Sequence, residues 1–416
     1  MDGERRYDRR FDLYSEDFKR DTYRTFAELR EREPVLHQLT LDASTEGWFV
    51  SRYDDVEAAL RDDKRLVRDA ALAGVHFPTS PLDELLNDHM LMHDGEDHRR
   101  LRSLVQQAFT PKRVASLRPR VQALADGLLD GVVERGSMDL VTEFAFPLPT
   151  SVILEMLGVP VEDRERFRAW TNALISPVLD EVTAQEAYAQ LTQFTDYLRA
   201  LFEARRRAPR DDLLSALLAA EEAGDRLSET ELFGTMVLLI VAGHETTVNL
   251  IANSVLALHR NPGQQARLEQ ALARGDSEAM PRAVEELLRY DGSVERALVR
   301  WAAEDVEIAG HTIPRGDGVI LILGSANHDP ERFRDPETLD LERHPNPHLG
   351  FGKGPHYCLG APLARLEADV ALSTLLRRLP ELRVLVPTEE LRYRALPMFK
   401  ALESLPVGWR VDGSVG

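Results

Sequence analysis

The chain has 416 residues, of which 43% are hydrophobic and 29% are charged, a composition typical of a globular protein with a large core. Its 51 basic and 70 acidic residues give a net charge of −19, which argues against wholesale binding to nucleic acid. The single cysteine excludes an internal disulfide.

The sequence contains no repeat, low-complexity tract or long linker, so we predict a single domain that spans residues 1–416. The first residues are dense in charge and lack the apolar segment of a secretory signal. The longest apolar run, Met236 to Gly243, is much shorter than the roughly 20 residues that cross a bilayer. We therefore expect a cytoplasmic protein with no membrane anchor.

Most of the middle of the chain has the periodicity of amphipathic helices. The residues from 183 to 207 place an apolar side chain at every third or fourth position, and the pattern is repeated in RDDLLSALLAAEEAG, where Gly224 is a candidate C-cap. Ser228 and Glu231 then form a candidate capping box for a long helix. That helix could extend to His259, about 45 Å in all, before Asn261–Pro262 ends it.

Strand patterns are short and lie near the two ends of the chain. GWFVSRY alternates near residue 50, and EDVEIAGHTIPRGDGVILILG predicts short strands with turns at Gly310 and at Arg315–Gly316. ELRVLVP and SLPVGWRV indicate late strands. The predicted fold class is therefore mainly α with minor β, and the apolar centre of the long helix predicts that it is buried.

The lone cysteine, Cys358, lies in the glycine-rich stretch FGKGPHYCLG, directly before a strong helical pattern. A thiolate is favoured at a helix N-terminus, and flanking glycines let backbone amides approach the sulfur. From the residues alone, three roles stay open. Cys358 could be a buried structural residue, a nucleophile paired with His356, or a metal ligand.

The pattern F-G-x-G-x-H-x-C-x-G resembles the haem-binding loop of the cytochrome P450 family, and similarity extends roughly from His93 to Val407. The resemblance implies the fold of that family, a triangular helical body with small β-sheets and a long central helix over the haem. It implies haem b as cofactor, with Cys358 as the axial ligand of the iron. The further cofactor positions in this loop are Phe351, Gly352, His356 and Gly360.

A polar cluster, AGHETT, interrupts the apolar centre of the long helix. Such a cluster is costly to bury unless it has a function, although Thr246 and Thr247 could be ordinary helix threonines and Glu245 a solvated charge. Ala242 and Gly243 are small enough for a flat cofactor or dioxygen to approach. The cluster resembles the oxygen-activation motif of the family, which implies that Thr246 hydrogen-bonds the bound oxygen and that Glu245 delivers protons.

Basic residues in separate segments are candidates for neutralising the haem propionates. His98 and Arg102 are four residues apart on one helical face and resemble the family's H-x-x-x-R motif, and Arg300 matches another propionate-binding arginine. Each could alternatively be an ordinary surface charge. A further set, Glu286 and Arg289 with Arg343, resembles the family's structural E-x-x-R signature, although an exposed pair is the alternative.

The resemblance implies a monooxygenase that inserts one oxygen atom of O2 into a hydrophobic small molecule, such as a macrolide, terpenoid, steroid or fatty acid. The length leaves no room for an electron-transfer domain, so electrons would come from a ferredoxin and its reductase. The alternatives are a peroxide-driven haem peroxygenase and a non-catalytic haem-binding sensor. A monomer is the default expectation. A basic patch for the ferredoxin could comprise Arg99, Arg100, Lys112, Arg113 and Lys353.

Apolar residues from several segments are candidates for the substrate pocket, although each could be ordinary core. The segments 72–82 and 172–179 belong to this set, and 70–90 and 172–188 are expected to form a mobile entrance. Ser293 and Lys400–Ala401 depart from the proline and the arginine–glycine that the family often has nearby. The single residues predicted to line the pocket are Leu238, Leu239, Val294, Leu298, Met398 and Phe399.

Overall fold

The computed structural model describes residues 11–40, 45–77, 80–176, 181–222 and 227–411. Parts of the two predicted entrance segments, 78–79 and 177–180, and the predicted C-cap Gly224 lie outside these residues. The helices are α1 Glu16–Arg20, α2 Thr22–Arg32, α3 Tyr53–Arg61, α4 Pro81–Asn87, α5 Gly95–Gln106, α6 Pro111–Asp130, α7 Pro147–Leu157, α8 Arg164–Ile175, α9 Glu181–Arg207, α10 Leu213–Glu222, α11 Glu229–Arg260, α12 Pro262–Ala273, α13 Ala279–Asp291, α14 Leu323–Ala326 and α15 Ala361–Arg378.

Ten short strands form three small sheets in the described part of the chain. The largest has the order β1-β2-β8-β5-β3, in which only β2 and β8 are parallel, and the others are β4-β10-β9 and the hairpin β6-β7. The strands are β1 Val35–Leu39, β2 Glu46–Val50, β3 Leu66–Val67, β4 Ser137–Asp139, β5 Arg300–Ala302, β6 Val306–Ile308, β7 His311–Ile313, β8 Gly318–Leu321, β9 Arg383–Val384 and β10 Pro406–Gly408.

The mainly helical class with minor sheets is confirmed, and the long helix forms as predicted. The hydroxyl of Ser228 accepts a hydrogen bond from the amide of Glu231, whose carboxylate accepts one from the amide of Ser228. The helix α11 ends one residue beyond the prediction, at Arg260, so its 32 residues span about 48 Å. The predicted turns hold glycines in the left-handed region, at Gly310 with φ 81° and Gly316 with φ 90°.

Helix α11 runs through the main hydrophobic core and packs against α4, α7, α13 and α15. By length and composition it could cross a membrane, which the prediction from its short apolar run did not anticipate. Of its most apolar stretch, however, 78% is buried inside the protein, as in the central helix of a globular core. The centre of α11 and the loop that precedes α15 line the same cavity.

Candidate functional site

A cavity of about 270 Å³ lies between the centre of α11 and the Cys358 loop, residues 351–360. Two predicted cofactor or catalytic residues, His98 and Glu245, are not on its wall, and neither is the predicted pocket residue Phe399. The predicted residues that line it are Arg102, Leu238, Leu239, Ala242, Gly243, Thr246, Val294, Leu298, Arg300, Phe351, Gly352, His356, Cys358, Gly360 and Met398.

The Cys358 loop is a tight turn that leads into α15. The amide of Cys358 donates a hydrogen bond to the carbonyl of Phe351 at 2.9 Å, which closes the loop. Gly354 has a φ of 73°, and a side chain at this position would bring its Cβ within 2.6 Å of the carbonyl oxygen of Leu60. Only glycine satisfies both conditions, because it lacks a Cβ and tolerates positive φ.

The thiol of Cys358 faces the cavity, and several opposing effects act on its ionisation. Burial raises the pKa of this thiol, whereas the amides of Gly360 and Ala361 and the guanidinium of Arg102 lower it. The net direction is upward, opposite to the effect of the helix N-terminus alone. Coordination to a metal ion deprotonates a thiol outright, so this environment suits a thiolate that is paired with a cation.

Buried basic side chains surround one edge of the cavity. Arg102 donates to the carbonyl of Tyr357 at 2.7 Å, and Arg300 donates to the carbonyls of Leu66 at 2.9 Å and Leu60 at 3.3 Å. Arg68, which the sequence analysis missed, also lines the cavity, and burial lowers its pKa to about 9. Three guanidinium groups therefore line this edge, of which Arg68 and Arg300 are buried and Arg102 is partly buried.

Two histidines complete this basic edge. His98 lies behind His356, with ring centroids 4.2 Å apart, and burial lowers the pKa of His98 to about 4. Nε2 of His356 lies 3.2 Å from Oδ1 of Asp94, rather than pairing with the thiol of Cys358. Nε2 of His98 and Nδ1 of His356 have no hydrogen-bond partner among the described residues.

This edge has the chemistry required for the two carboxylates of a haem. Buried cations need anions beside them, and Asp94 is the acid that approaches Arg68, Arg300 and His356. Two further carboxylates would offset the excess positive charge and could use the unpartnered imidazole nitrogens. The residues present therefore fit a haem, of which this edge would hold the propionates and Cys358 would hold the iron.

The polar cluster in α11 combines a hydrogen bond from a side chain to the helix backbone with close packing. The hydroxyl of Thr246 donates to the carbonyl of Ala242 at 3.2 Å, the upstream bond that the sequence predicts, and Thr246 faces the cavity. A Cβ on Gly243 would lie 2.6 Å from Cγ1 of Ile153. The small size of Gly243 is thus required by the packing of α7 as well as by the space of the cavity.

Glu245 is a buried ion-pair partner rather than a solvated charge. Its Oε1 lies 2.5 Å from Nη1 of Arg394 and 3.4 Å from Nδ2 of Asn249. The second nitrogen of Arg394, Nη2, donates to Oδ1 of Asn172 at 2.8 Å. The sequence analysis missed Arg394, because no periodicity or motif marks the segment around it.

A second buried acid, Glu367, lies on α15 and lines the cavity. Burial raises the pKa of its carboxyl to about 8, although the nearby hydroxyl of Thr247 lowers it. Neither of its two carboxylate oxygens has a hydrogen-bond partner among the described residues. The sequence does hold a signal for this residue, because Glu367 lies at helical spacing between the apolar Leu363 and Val370.

The wall of the cavity away from the basic edge is mostly apolar. Phe399 is not part of this wall. Its backbone pairs with Val294, and its carbonyl accepts a hydrogen bond from Nζ of Lys19 at 2.9 Å. Of the two departures from the family pattern, Ser293 lines the cavity. Nζ of Lys400 instead donates a hydrogen bond to Oδ1 of Asp291 at 2.7 Å. Lys400 therefore supports the fold behind the wall.

The predicted structural set is brought together and buried. Arg289 forms two hydrogen bonds of 2.8 Å with the carboxylate of Glu286, and Nε of Arg343 lies 3.1 and 3.2 Å from the same oxygens. Beside it, Arg365 donates to Glu285 and stacks over the ring of Phe351 at 4.5 Å. These contacts fix the Cys358 loop from behind.

The comparisons with known proteins agree with this geometry. Residues 41–388 match the family model described as "Cytochrome P450". The chain belongs to the cytochrome P450 family. It is 44% identical to the cytochrome P450 monooxygenase PikC of Streptomyces venezuelae over 407 residues, which are 96% of this chain and 94% of that protein.

Two solved structures of cytochromes P450 are also similar. A myxobacterial cytochrome P450, CYP267B1 in complex with myristic acid, has 42% identity and a TM-score of 0.90, with 96% of this chain and 99% of that chain covered. P450BioI, in complex with an acyl carrier protein ligated to hexadec-9Z-enoic acid, has 39% identity and a TM-score of 0.86, with 95% and 100% covered. The chain is a cytochrome P450 monooxygenase, and its family implies a haem-thiolate cofactor.

Proposed function

We propose that this P450 binds haem b through Cys358 and inserts one atom of O2 into a hydrophobic small molecule, with electrons from a ferredoxin and its reductase. The observation that carries this proposal is the shared cavity. Cys358 and the hydroxyl of Thr246 face the same space, which has a basic edge and an otherwise largely apolar wall.

Each group of residues has a separate task in this proposal. The basic edge, formed by Arg68, Arg102, Arg300 and the two histidines, binds the propionates. The haem supplies the redox chemistry of O2 when bound, and the thiolate favours cleavage of the O–O bond. Thr246 holds a proton on the cavity side of α11, and Glu245 exchanges protons with the route that ends there.

The apolar wall supports a substrate with extensive hydrophobic surface. Leu238 and Leu239 of α11 face the cavity together with Val294, Leu298 and Met398. Of the similar proteins, one binds myristic acid and another is bound to an acyl-carrying protein. A third similar protein is in complex with testosterone. We therefore propose a hydrophobic small molecule of the macrolide, terpenoid, steroid or fatty-acid kind, either free or attached to a carrier protein.

The proposed partner surface is smaller than the sequence indicates. Arg99, Lys112 and Arg113 are exposed, but Arg100 is paired with Asp97 and Glu231, and Lys353 lines the cavity. Arg99, Lys112 and Arg113 would still present positive charge to an acidic ferredoxin.

We further propose that the protein is a cytoplasmic monomer and that residues 1–416 form a single domain.

The visible spectrum of the dithionite-reduced, haem-loaded protein with carbon monoxide tests the proposal first. A strongly red-shifted Soret band is expected for a thiolate-bound haem, and a band at the histidine–haem position would contradict it. Product formation from myristic acid with NADPH, ferredoxin and reductase is then compared with product formation from hydrogen peroxide. Turnover with peroxide alone would identify a peroxygenase, and a thiolate spectrum without turnover in either assay would favour a sensor.

A further inference from the structure

Arg394 joins three separate parts of the fold. Its guanidinium lies between the carboxylate of Glu245 in α11, at 2.5 Å, and the side-chain oxygen of Asn172 near the end of α8, at 2.8 Å. Arg394 itself belongs to the segment after β9, residues 391–402, which also supplies Met398 to the cavity wall. One side chain thus connects the proposed acid to a helix that leads into the predicted entrance.

The backbone of Arg394 is held firmly, so its guanidinium has a fixed origin. The amide of Arg394 donates to the carbonyl of Ala401 at 2.8 Å, and the neighbouring Tyr393 pairs with Leu402. Asn172, in contrast, lies three residues before the end of α8, and its carbonyl accepts a hydrogen bond from the amide of Ser176 at 3.0 Å. The backbone of Arg394 is anchored to residues 401–402 and not to α8. A displacement of α8 would therefore break the contact between Asn172 and Arg394 and leave the backbone of Arg394 in place.

Glu245 depends on this arginine for its charge balance. The side chain of Glu245 is only 4% exposed, and a buried carboxylate without a cation is strongly destabilised. Among the described residues, a second basic group close to this carboxylate is His244, whose Nε2 lies 3.9 Å from Oε2 of Glu245. Burial lowers the pKa of His244, and its Nδ1 is bonded to the carbonyl of Ile240 at 2.6 Å, so the ring is not a substitute cation.

We infer that Arg394 is a positioning residue that links the position of α8 to the orientation of Glu245. While α8 is in place, Asn172 holds one guanidinium nitrogen and directs the other to Glu245. When α8 moves away, Arg394 loses this guide, and the carboxylate of Glu245 loses the orientation from which it delivers protons. This inference rests on the proposed function of Glu245 in proton delivery.

The test compares Arg394→Ala, Arg394→Lys and Asn172→Ala with Arg392→Ala as the matched control. Arg392 is exposed and lies two residues away on the same segment. The first readout is hydrogen–deuterium exchange at the amides of residues 172–176 in the haem-loaded, resting enzyme. Loss of a charged hydrogen bond predicts about tenfold faster exchange in Arg394→Ala. The control should match the wild type.

The second readout is how the enzyme divides the O2 that it consumes without an organic substrate. Reduction of O2 by two electrons and two protons gives hydrogen peroxide, and reduction by four of each gives two molecules of water. Misplaced protons favour hydrogen peroxide over water. The fraction of O2 released as peroxide should therefore rise in Arg394→Ala and rise less in Asn172→Ala. In Arg394→Lys it should lie between the values of the wild type and of Arg394→Ala. The double variant Arg394→Ala/Asn172→Ala should give the same peroxide fraction as Arg394→Ala alone, since both substitutions break the same link between α8 and Glu245.

Wild-type values in both readouts for Arg394→Ala would overturn the inference. The carbon monoxide spectrum of each variant verifies the fold, and Asn172→Ala and Arg394→Lys provide the test if Arg394→Ala fails to fold. If wild-type protein consumed no O2 with ferredoxin and reductase, the proposed function would fail instead. The exchange experiment would then still decide whether Arg394 holds α8.

Discussion

The imidazole rings of His98 and His356 lie with their centroids 4.2 Å apart, which joins helix α5 to the Cys358 loop at the basic edge of the cavity. Burial lowers the pKa of each ring, and the acid in hydrogen-bonding contact with His356 is Asp94. This contact shows how the fold brings residues from distant segments together at the edge that we propose binds the haem propionates.

Replacement of Arg68 by leucine should weaken haem binding. The change removes one of the three guanidinium groups that line the basic edge, and loss of one charge-assisted hydrogen bond corresponds to about a tenfold change in affinity. Haem transfer to apomyoglobin measures this loss. Arg61→Leu, at an exposed residue, is the control, and equal transfer rates for both variants would show that Arg68 does not contact the propionates.

Replacement of Cys358 by serine should remove the red-shifted Soret band of the reduced carbon monoxide complex while leaving the basic edge intact. Serine keeps the size of the residue but not the soft thiolate that the iron binds. Absorption spectra at equal haem loading provide the measurement. A retained red-shifted band would mean that another residue binds the iron, since this chain has one cysteine.

Replacement of Thr246 by alanine should increase the fraction of O2 released as hydrogen peroxide, because the hydroxyl that faces the cavity is lost. General acid–base contributions of this kind are about 10²-fold or more in rate, so product formation should fall steeply. Thr246→Ser keeps the hydroxyl and is the matched control. Similar peroxide yields from the alanine and serine variants would exclude the proposed role.

Replacement of Glu367 by glutamine should change how stability depends on pH. The pKa of this carboxyl is about 8 in the folded protein and 4.5 ordinarily, so the folded state binds the extra proton between these values. The stability that protonated Glu367 contributes is therefore complete below pH 4.5 and is lost as pH rises through 8, by at most about 5 kcal/mol.

Glutamine cannot ionise, so the free energy of unfolding of Glu367→Gln should decline less between pH 5 and pH 8. Urea denaturation of the haem-loaded proteins across this range measures the two slopes. Glu278→Gln, at an exposed residue, should retain the wild-type slope. Parallel curves for Glu367→Gln and wild type would mean that Glu367 is ionised throughout.

Replacement of Glu286 by glutamine should destabilise the fold by about 3–5 kcal/mol, since it leaves the buried charges of Arg289 and Arg343 without their carboxylate. The midpoint of urea denaturation should fall without a change in the carbon monoxide band of the protein that remains folded. Glu278→Gln again serves as the control. A loss below about 1 kcal/mol would indicate that water replaces the carboxylate.

The sequence predicted those features that depend on local patterns. The capping box at Ser228, the bond from Thr246 to Ala242 and the position of Cys358 before α15 follow from spacing along one segment. The sequence could not show which distant side chains pair, so the Arg394–Glu245 contact was missed. Phe399 was misplaced for the same reason, because its pairing with Val294 is a tertiary contact.

The presence of one thiol in the whole chain, on the wall of the haem cavity, also has a practical consequence. If Cys358 binds the haem iron as we propose, a thiol reagent small enough to enter the cavity competes with the iron for the same sulfur. The amount of reagent incorporated would therefore count the molecules without cofactor, independently of absorbance. The same property would let a cysteine introduced at the surface carry a spectroscopic label, because the native sulfur is protected while the cofactor is bound.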